Sequence, residues 1–122
     1  MLVSFLSFND DNTKTSFQSE GRRKGNVIQF EDKSYPNTRI KLTLLESSVL
    51  LERFGDVQML MLFSLEKETK GFYTNAEGLE FEYTIHTKEV SIQENKVKVS
   101  YTLFLNKEEI TSTTFQVAFF GK

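Results

Sequence analysis

Lys96-Val97-Lys98-Val99-Ser100-Tyr101-Thr102-Leu103-Phe104-Leu105 is the stretch that decides the fold. Val97, Val99, Tyr101, Leu103 and Leu105 alternate with polar residues along most of it. Successive side chains of a strand point to opposite faces, so a period of two means one buried face and one wet face. The same rhythm runs through Leu79, Phe81, Tyr83, Ile85 and Thr87, with Glu80, Glu82, Thr84, His86 and Lys88 between them. It returns in Phe115, Val117 and Phe119. The alternation predicts that Leu79, Phe81, Tyr83 and Ile85 face a core while Glu80, Glu82, Thr84, His86 and Lys88 face water.

Working outward, turn signals cut the chain at short intervals. They are Asn9–Asn12, Gly21–Asn26, Asp32–Asn37 with the only proline, Phe54–Asp56, Glu66–Gly71, Asn75–Gly78, Glu94–Lys96 and Asn106–Glu109. Between them lie about ten strand candidates, near 2–8, 13–21, 26–31, 38–46, 48–54, 57–65, 70–75, 79–90, 96–105 and 110–120. The nearest thing to a helix is Leu42 to Leu51. Its apolar offsets are irregular and its threonine and valine content favours strand. Consecutive short strands joined by tight turns form an up-and-down meander. Closing such a sheet into a barrel removes its two edges. Met59 to Phe63 breaks the alternation with five apolar residues in a row, which predicts cover on both faces, from the sheet itself or from a second subunit.

Composition narrows the function classes. The 122 residues suit one domain, 1–122, able to bury its own core. Net charge is −2, against a general nucleic-acid binder, which needs a basic face. There is no cysteine, which removes thiol catalysis, thiolate metal sites and disulfides and fits a reducing compartment. Met1 to Phe8 has no basic start and meets Asn9, Asp10 and Asp11 too soon for a signal peptide. No apolar run is long enough to span a bilayer. These features predict a cytoplasmic protein with no membrane partner.

The chemistry-bearing residues are few. His86 is the only histidine and falls on the wet face of its strand, where a catalytic triad cannot use it. Glu80 and Glu82 share that face and read as solvated rather than as a glycosidase pair. Asp10, Asp11 and Asn12 lack the spacing of a calcium loop. Arg22, Arg23 and Lys24 form the only basic cluster. On a hairpin tip they read as a solubilising turn, with phosphate contact as the sharper alternative. Arg53 shares a face with Val49 and Leu51. If that face is interior, its guanidinium needs a carboxylate, carbonyls at the barrel mouth or an anionic ligand. Tyr83 and Tyr101 belong to the clearest apolar faces, and their hydroxyls need partners if buried.

The order Val49-Leu50-Leu51-Glu52-Arg53-Phe54-Gly55, then Met59 and Phe63, Tyr73-Thr74, Gly78-Leu79, Thr87, and Val97-Lys98-Val99-Ser100-Tyr101, resembles the YwiB-like family of small bacterial proteins, a domain of unknown function. The resemblance spans roughly residues 13 to 120. It implies a calycin-type barrel similar to lipocalins and fatty-acid-binding proteins. It brings no catalytic or ligand residues with it.

The expectation is an all-β protein, an antiparallel meander of about eight to ten strands closed into a calycin- or lipocalin-like barrel. It is not an enzyme and uses no cofactor or metal. Its leading function is to bind a small apolar or amphipathic anion at Arg53, Tyr83 and Tyr101. The alternative is a protein-interaction or structural barrel with a phenylalanine-filled interior, acting as a homodimer or on another protein.

Overall fold

Every segment with the two-residue period is a strand. The computed structural model describes residues 1–121, in which ten strands follow one another: β1 (Leu2–Asn9), β2 (Lys14–Lys24), β3 (Val27–Glu31), β4 (Thr38–Leu44), β5 (Ser48–Gly55), β6 (Gln58–Ser64), β7 (Thr69–Thr74), β8 (Glu80–Ile92), β9 (Lys96–Leu105) and β10 (Glu108–Phe120). Each pairs antiparallel with its neighbour in sequence, and β1 pairs with β10, so the sheet is a closed barrel in meander order. Phe5 stands opposite Phe17 on one side and Val117 on the other. No helix among the described residues is long and apolar enough to cross a membrane.

The inward positions fill the barrel. Phe17, Phe5, Phe115, Phe63 and Tyr101 form a continuous run of rings, with successive centroids 5.1, 6.2, 5.5 and 4.7 Å apart. Phe30 joins it beside Phe5 and Phe17. Val3, Ile28, Ile40, Leu42, Val49, Leu51, Ile85, Val97, Val99 and Val117 complete the core. Aromatic rings supply large buried area and lock together in offset and tilted geometries, so this interior is packed rather than hollow.

Two glycines make close approaches that a side chain would block. At Gly21, where β2 passes from β1 to β3, a Cβ would lie 2.6 Å from Val3 Cγ2. At Gly55, with φ +127°, a Cβ would overlap the Asn37 carbonyl oxygen. The second approach brings the β3–β4 turn against the end of β5.

Several local expectations are corrected. Gly21 is not the start of a hairpin tip, because β2 runs on to Lys24 and the turn is Gly25–Asn26. Arg22, Arg23 and Lys24 are therefore strand residues. Leu79 lies just outside β8 in the turn and is 59% exposed rather than in the core. Phe81 and Tyr83 face inward, Ile85 is buried, and Glu80, Glu82, His86 and Lys88 are exposed, as the alternation predicts, with Thr84 half-buried. A bulge between Thr87 and Glu89 then resets the register, so that Val90 faces Val99 and packs against the core.

Met59 to Phe63 keeps the alternation after all. Met61 and Phe63 are buried while Leu60 is 40% exposed, so only one face of this strand is covered. The outward Leu60 and Leu62 sit opposite Phe72 and Leu50, making a small apolar patch on the outer wall.

Two outcomes follow. Met61→Lys, which buries a charge among Met61's core neighbours, is expected to lower stability by several kcal/mol, whereas Leu60→Lys stays within about 1 kcal/mol of the wild type. Urea denaturation of both variants checks this, and equal losses would refute the one-faced assignment. Thr87 Oγ1 is the one buried side-chain polar atom without a hydrogen-bond partner among the described residues. Thr87→Val keeps the shape and removes that unpaired hydroxyl, so the thermal midpoint should rise, by the equivalent of about 1 kcal/mol.

Candidate functional site

The two ends of the barrel differ. At the end carrying the β2–β3, β4–β5, β6–β7 and β8–β9 turns, the inward Leu44, Phe63, Val97 and Phe119 are buried. Arg23 lies across this end, its guanidinium 5.5 Å from the Phe119 ring centroid and Nη1 donating to the Glu94 carbonyl at 3.4 Å. At the other end, the inward residues Met59, Tyr73, Phe81, Tyr83 and Leu103 are only half-buried. Period-two side chains that point inward without being covered leave a shallow, aromatic-walled mouth. Tyr73 and Phe81 stand opposite each other on β7 and β8 with centroids 6.0 Å apart, and Tyr83 follows at 6.4 Å.

Arg53 projects inward at this mouth, between Ile40 and Met59 in register. Its side chain is 12% exposed and its partner is Asp32, which is fully buried. Arg53 Nε donates to Asp32 Oδ2 at 2.7 Å, and Nη1 meets Met59 Sδ at 3.1 Å. Asp32 Oδ1 accepts from the Ser34 backbone N–H at 2.9 Å and from the Ser34 hydroxyl. The Asp32 N–H closes the turn by donating to the Thr38 carbonyl at 2.9 Å. A buried charge requires this degree of satisfaction. The anticipated interior arginine is thus present, and the carboxylate it needs comes from the β3–β4 turn.

Three tyrosines, Tyr35, Tyr73 and Tyr101, lie within range of this guanidinium, and Tyr83 adjoins them through Phe81 and Tyr73. The Tyr35 ring lies under it at 5.7 Å. Tyr73 sits within electrostatic range of Arg53, Tyr35 and Tyr83. Partial burial and the hydroxyls of Tyr35 and Tyr83 hold its phenol above the ordinary value, against the pull of Arg53. Tyr101 lies deeper. Burial raises its phenol, while Arg53 and a hydrogen bond with the Thr113 side chain only partly offset the rise.

The structure brings Tyr101 within electrostatic range of Arg53, while Tyr83 stands one step away, beside Phe81 and within range of Tyr73. Sequence reasoning missed Asp32, Tyr35 and Tyr73. Tyr73 was within reach, since Gly71 and Tyr73 share the inward parity of β7. Asp32 and Tyr35 lie in a turn whose path no periodicity describes. His86 stands elsewhere, exposed on the outer wall in a groove with Lys70, Glu82 and Phe104. Among the described residues, no three histidine, aspartate or glutamate side chains form a metal-binding group.

The raised Tyr101 phenol sets an alkaline dependence. The unfolded group ionises near pH 10, as an ordinary phenol does. The folded group ionises higher, so its contribution is fully present below pH ~10 and is lost as pH rises through the folded value. Denaturant midpoints should fall above pH ~10 in the wild type and fall less in Tyr101→Phe. Equal slopes in the two proteins would remove Tyr101 as a source.

Comparison with known proteins agrees with this geometry at the level of fold. The crystal structure of the ywiB protein from Bacillus subtilis is similar to this chain with a TM-score of 0.64 at 20% sequence identity, over 98% of this chain and 89% of that one. No curated protein matches the chain. The model of a domain of unknown function, DUF1934, matches residues 5–117, nearly the whole barrel, and the chain belongs to that family.

Proposed function

We propose that this protein is a non-enzymatic binding module that takes a small amphipathic ligand at the open mouth of the barrel. The observation that carries the reading is a mostly buried arginine with Tyr35 and Tyr73 beside it and Tyr101 beneath, next to the half-covered inward residues Phe81 and Tyr83. Ligand sites combine an apolar wall with a few convergent polar groups, and this mouth has both. Phe81, Leu103 and Met59 supply apolar wall. The phenols and the outer edge of the Arg53 guanidinium supply hydrogen bonds.

The filled interior limits the ligand. Phe5, Phe30, Phe63 and Phe115 occupy the space a fatty-acid chain would need, so a compact, flat ligand fits better than a long one. Asp32 already balances Arg53, so the guanidinium favours an acidic or carbonyl head by directed hydrogen bonds more than by net charge. This is a lipocalin-like use of one end of a barrel, without the lipocalin-like lumen. The lack of cysteine fits a reducing compartment such as the cytoplasm.

A second reading is favoured by a different observation. Leu50, Leu60, Leu62 and Phe72 form an apolar patch on the outer wall, with Leu60 40% and Phe72 47% exposed. An interaction barrel with a filled interior would use that patch.

The chain has no tryptophan, and Tyr35, Tyr73 and Tyr83 lie at this end of the barrel, so intrinsic fluorescence reports the site. Titration of delipidated protein with aromatic carboxylates should change tyrosine emission saturably. Tyr83→Phe should weaken binding by about tenfold or less, and the double variant Arg53→Met with Asp32→Asn, which leaves no buried charge alone, by about tenfold to a hundredfold, since neutral hydrogen bonds contribute about 1 kcal/mol and charged ones about 1.5–3 kcal/mol. Decanoate should bind more weakly than an aromatic acid of similar hydrophobicity. No saturable change with any amphipathic acid would sink the mouth as a ligand site. Concentration-dependent mass abolished by Leu60→Lys would then favour the outer patch.

A further inference from the structure

The basic cluster at Arg22–Lys24 is divided by strand parity. Arg23 points inward and lies across the closed end over Phe119. Arg22 and Lys24 point outward, opposite Gln29 and Val27 of β3. On the far side of β3, Arg39 of β4 stands opposite Glu31, and Lys41 stands opposite Gln29. Arg22, Lys24 and Arg39 therefore converge from two strands across a third. With Val27 and Gln29 they line an open groove of about 290 Å³ that contains no acidic residue.

These cations are unusual in being left alone. Among the described residues, Arg22, Lys24, Arg39 and Lys41 take part in no ion pair. Three acids border this face: Glu20 and Glu31 line the adjoining groove with Arg22 and Arg39, and Glu52 stands opposite Lys41. Glu31 is already held by Lys33 at 2.9 Å. Glu31 and Glu52 stand at the margin of the cluster, and the residues that line the groove itself, Arg22, Lys24, Val27, Gln29 and Arg39, carry three positive charges and no negative one.

We propose that this groove binds a small phosphorylated ligand, with Arg22 and Arg39 gripping the phosphoryl oxygens from opposite sides. Guanidinium forks match phosphate geometry, Lys24 adds a point charge, and the Gln29 amide supplies a further donor. Three cations and an amide with no carboxylate in the lining suit a phosphate or diphosphate group. A nucleic acid fits less well. Three or four cations release few counterions, and Arg22, Lys24, Val27, Gln29 and Arg39 include no ring on which bases could stack. The site is separate from the mouth, and its test does not depend on that reading.

The test is amide chemical-shift titration of isotope-labelled protein with inorganic pyrophosphate and then inorganic phosphate. Saturable shifts are expected at Arg22, Gln29 and Arg39, with pyrophosphate binding more tightly. Arg22→Gln and Arg39→Gln are exposed substitutions that should keep the circular dichroism spectrum and weaken pyrophosphate binding by about tenfold or more each. Arg23→Gln, whose guanidinium lies at the closed end, should change it by no more than about twofold. Shifts that do not saturate, or equal weakening by Arg23→Gln, would overturn the proposal. So would tighter binding of a single-stranded oligonucleotide than of pyrophosphate at the same groove, which would assign this face to nucleic acid instead.

Discussion

Ring packing across the barrel is the interaction on which the rest of this molecule depends. Phe17, Phe5, Phe115, Phe63 and Tyr101 come from β2, β1, β10, β6 and β9, so one run of contacts ties opposite walls together. Each buried ring contributes about 2–3 kcal/mol by area alone, and its fixed geometry opposes collapse or slippage of the sheet. The same filling removes the lumen as a place for chemistry. Whatever the barrel binds must be met at its ends or on its outer wall.

The Arg53–Asp32 pair shows what this costs at the open end. Asp32 is drawn under the mouth by a turn that Gly55 lets lie against β5. Neither charge would be tolerated there alone, and a hydrophobic pair of the same size could be as stable or more so. Its persistence in an otherwise apolar interior is better explained by specification. It fixes the path of the β3–β4 turn and, with it, the position of Tyr35 beneath the guanidinium. Tyr35 then owes its position to one ion pair, whereas Tyr73, Tyr83 and Tyr101 are set by their strands and ring contacts.

Most of the architecture was legible because alternation is a local property. The ten strands, their order and the wet face of β8 follow from period two alone. What failed, failed where something non-local intervened. Gly21 reads as a turn, yet it is a glycine because β2 passes close to Val3 there. The bulge after Thr87 changes which residues face inward, and no rhythm announces an inserted residue. The apolar run at Met59 suggested two covered faces, but strand parity held, the sheet covers only one of them, and the surplus leucines lie on the surface of the single chain. At the site, Arg53 was readable as a buried charge in need of a carboxylate. Asp32 was not readable as the answer, because 21 residues and an irregular turn separate them.

The pairing of β1 with β10 has a bearing on how the chain reaches this state. Leu2 stands opposite Phe120 and Asn9 opposite Thr113, so the first strand of the barrel finds its second neighbour only in the barrel's last. Until residue 120 has left the exit tunnel, β1 and β9 are both open edges and Phe5 lacks its Phe115 neighbour. The nascent meander can form hairpins as it emerges, but the ring of strands closes after translation of β10. Long-range closure of this kind is slow relative to hairpin formation and leaves strand edges exposed meanwhile. The newly made barrel is thus most vulnerable to aggregation in the interval between synthesis and closure, and a chaperone that shields β1 would act at that moment.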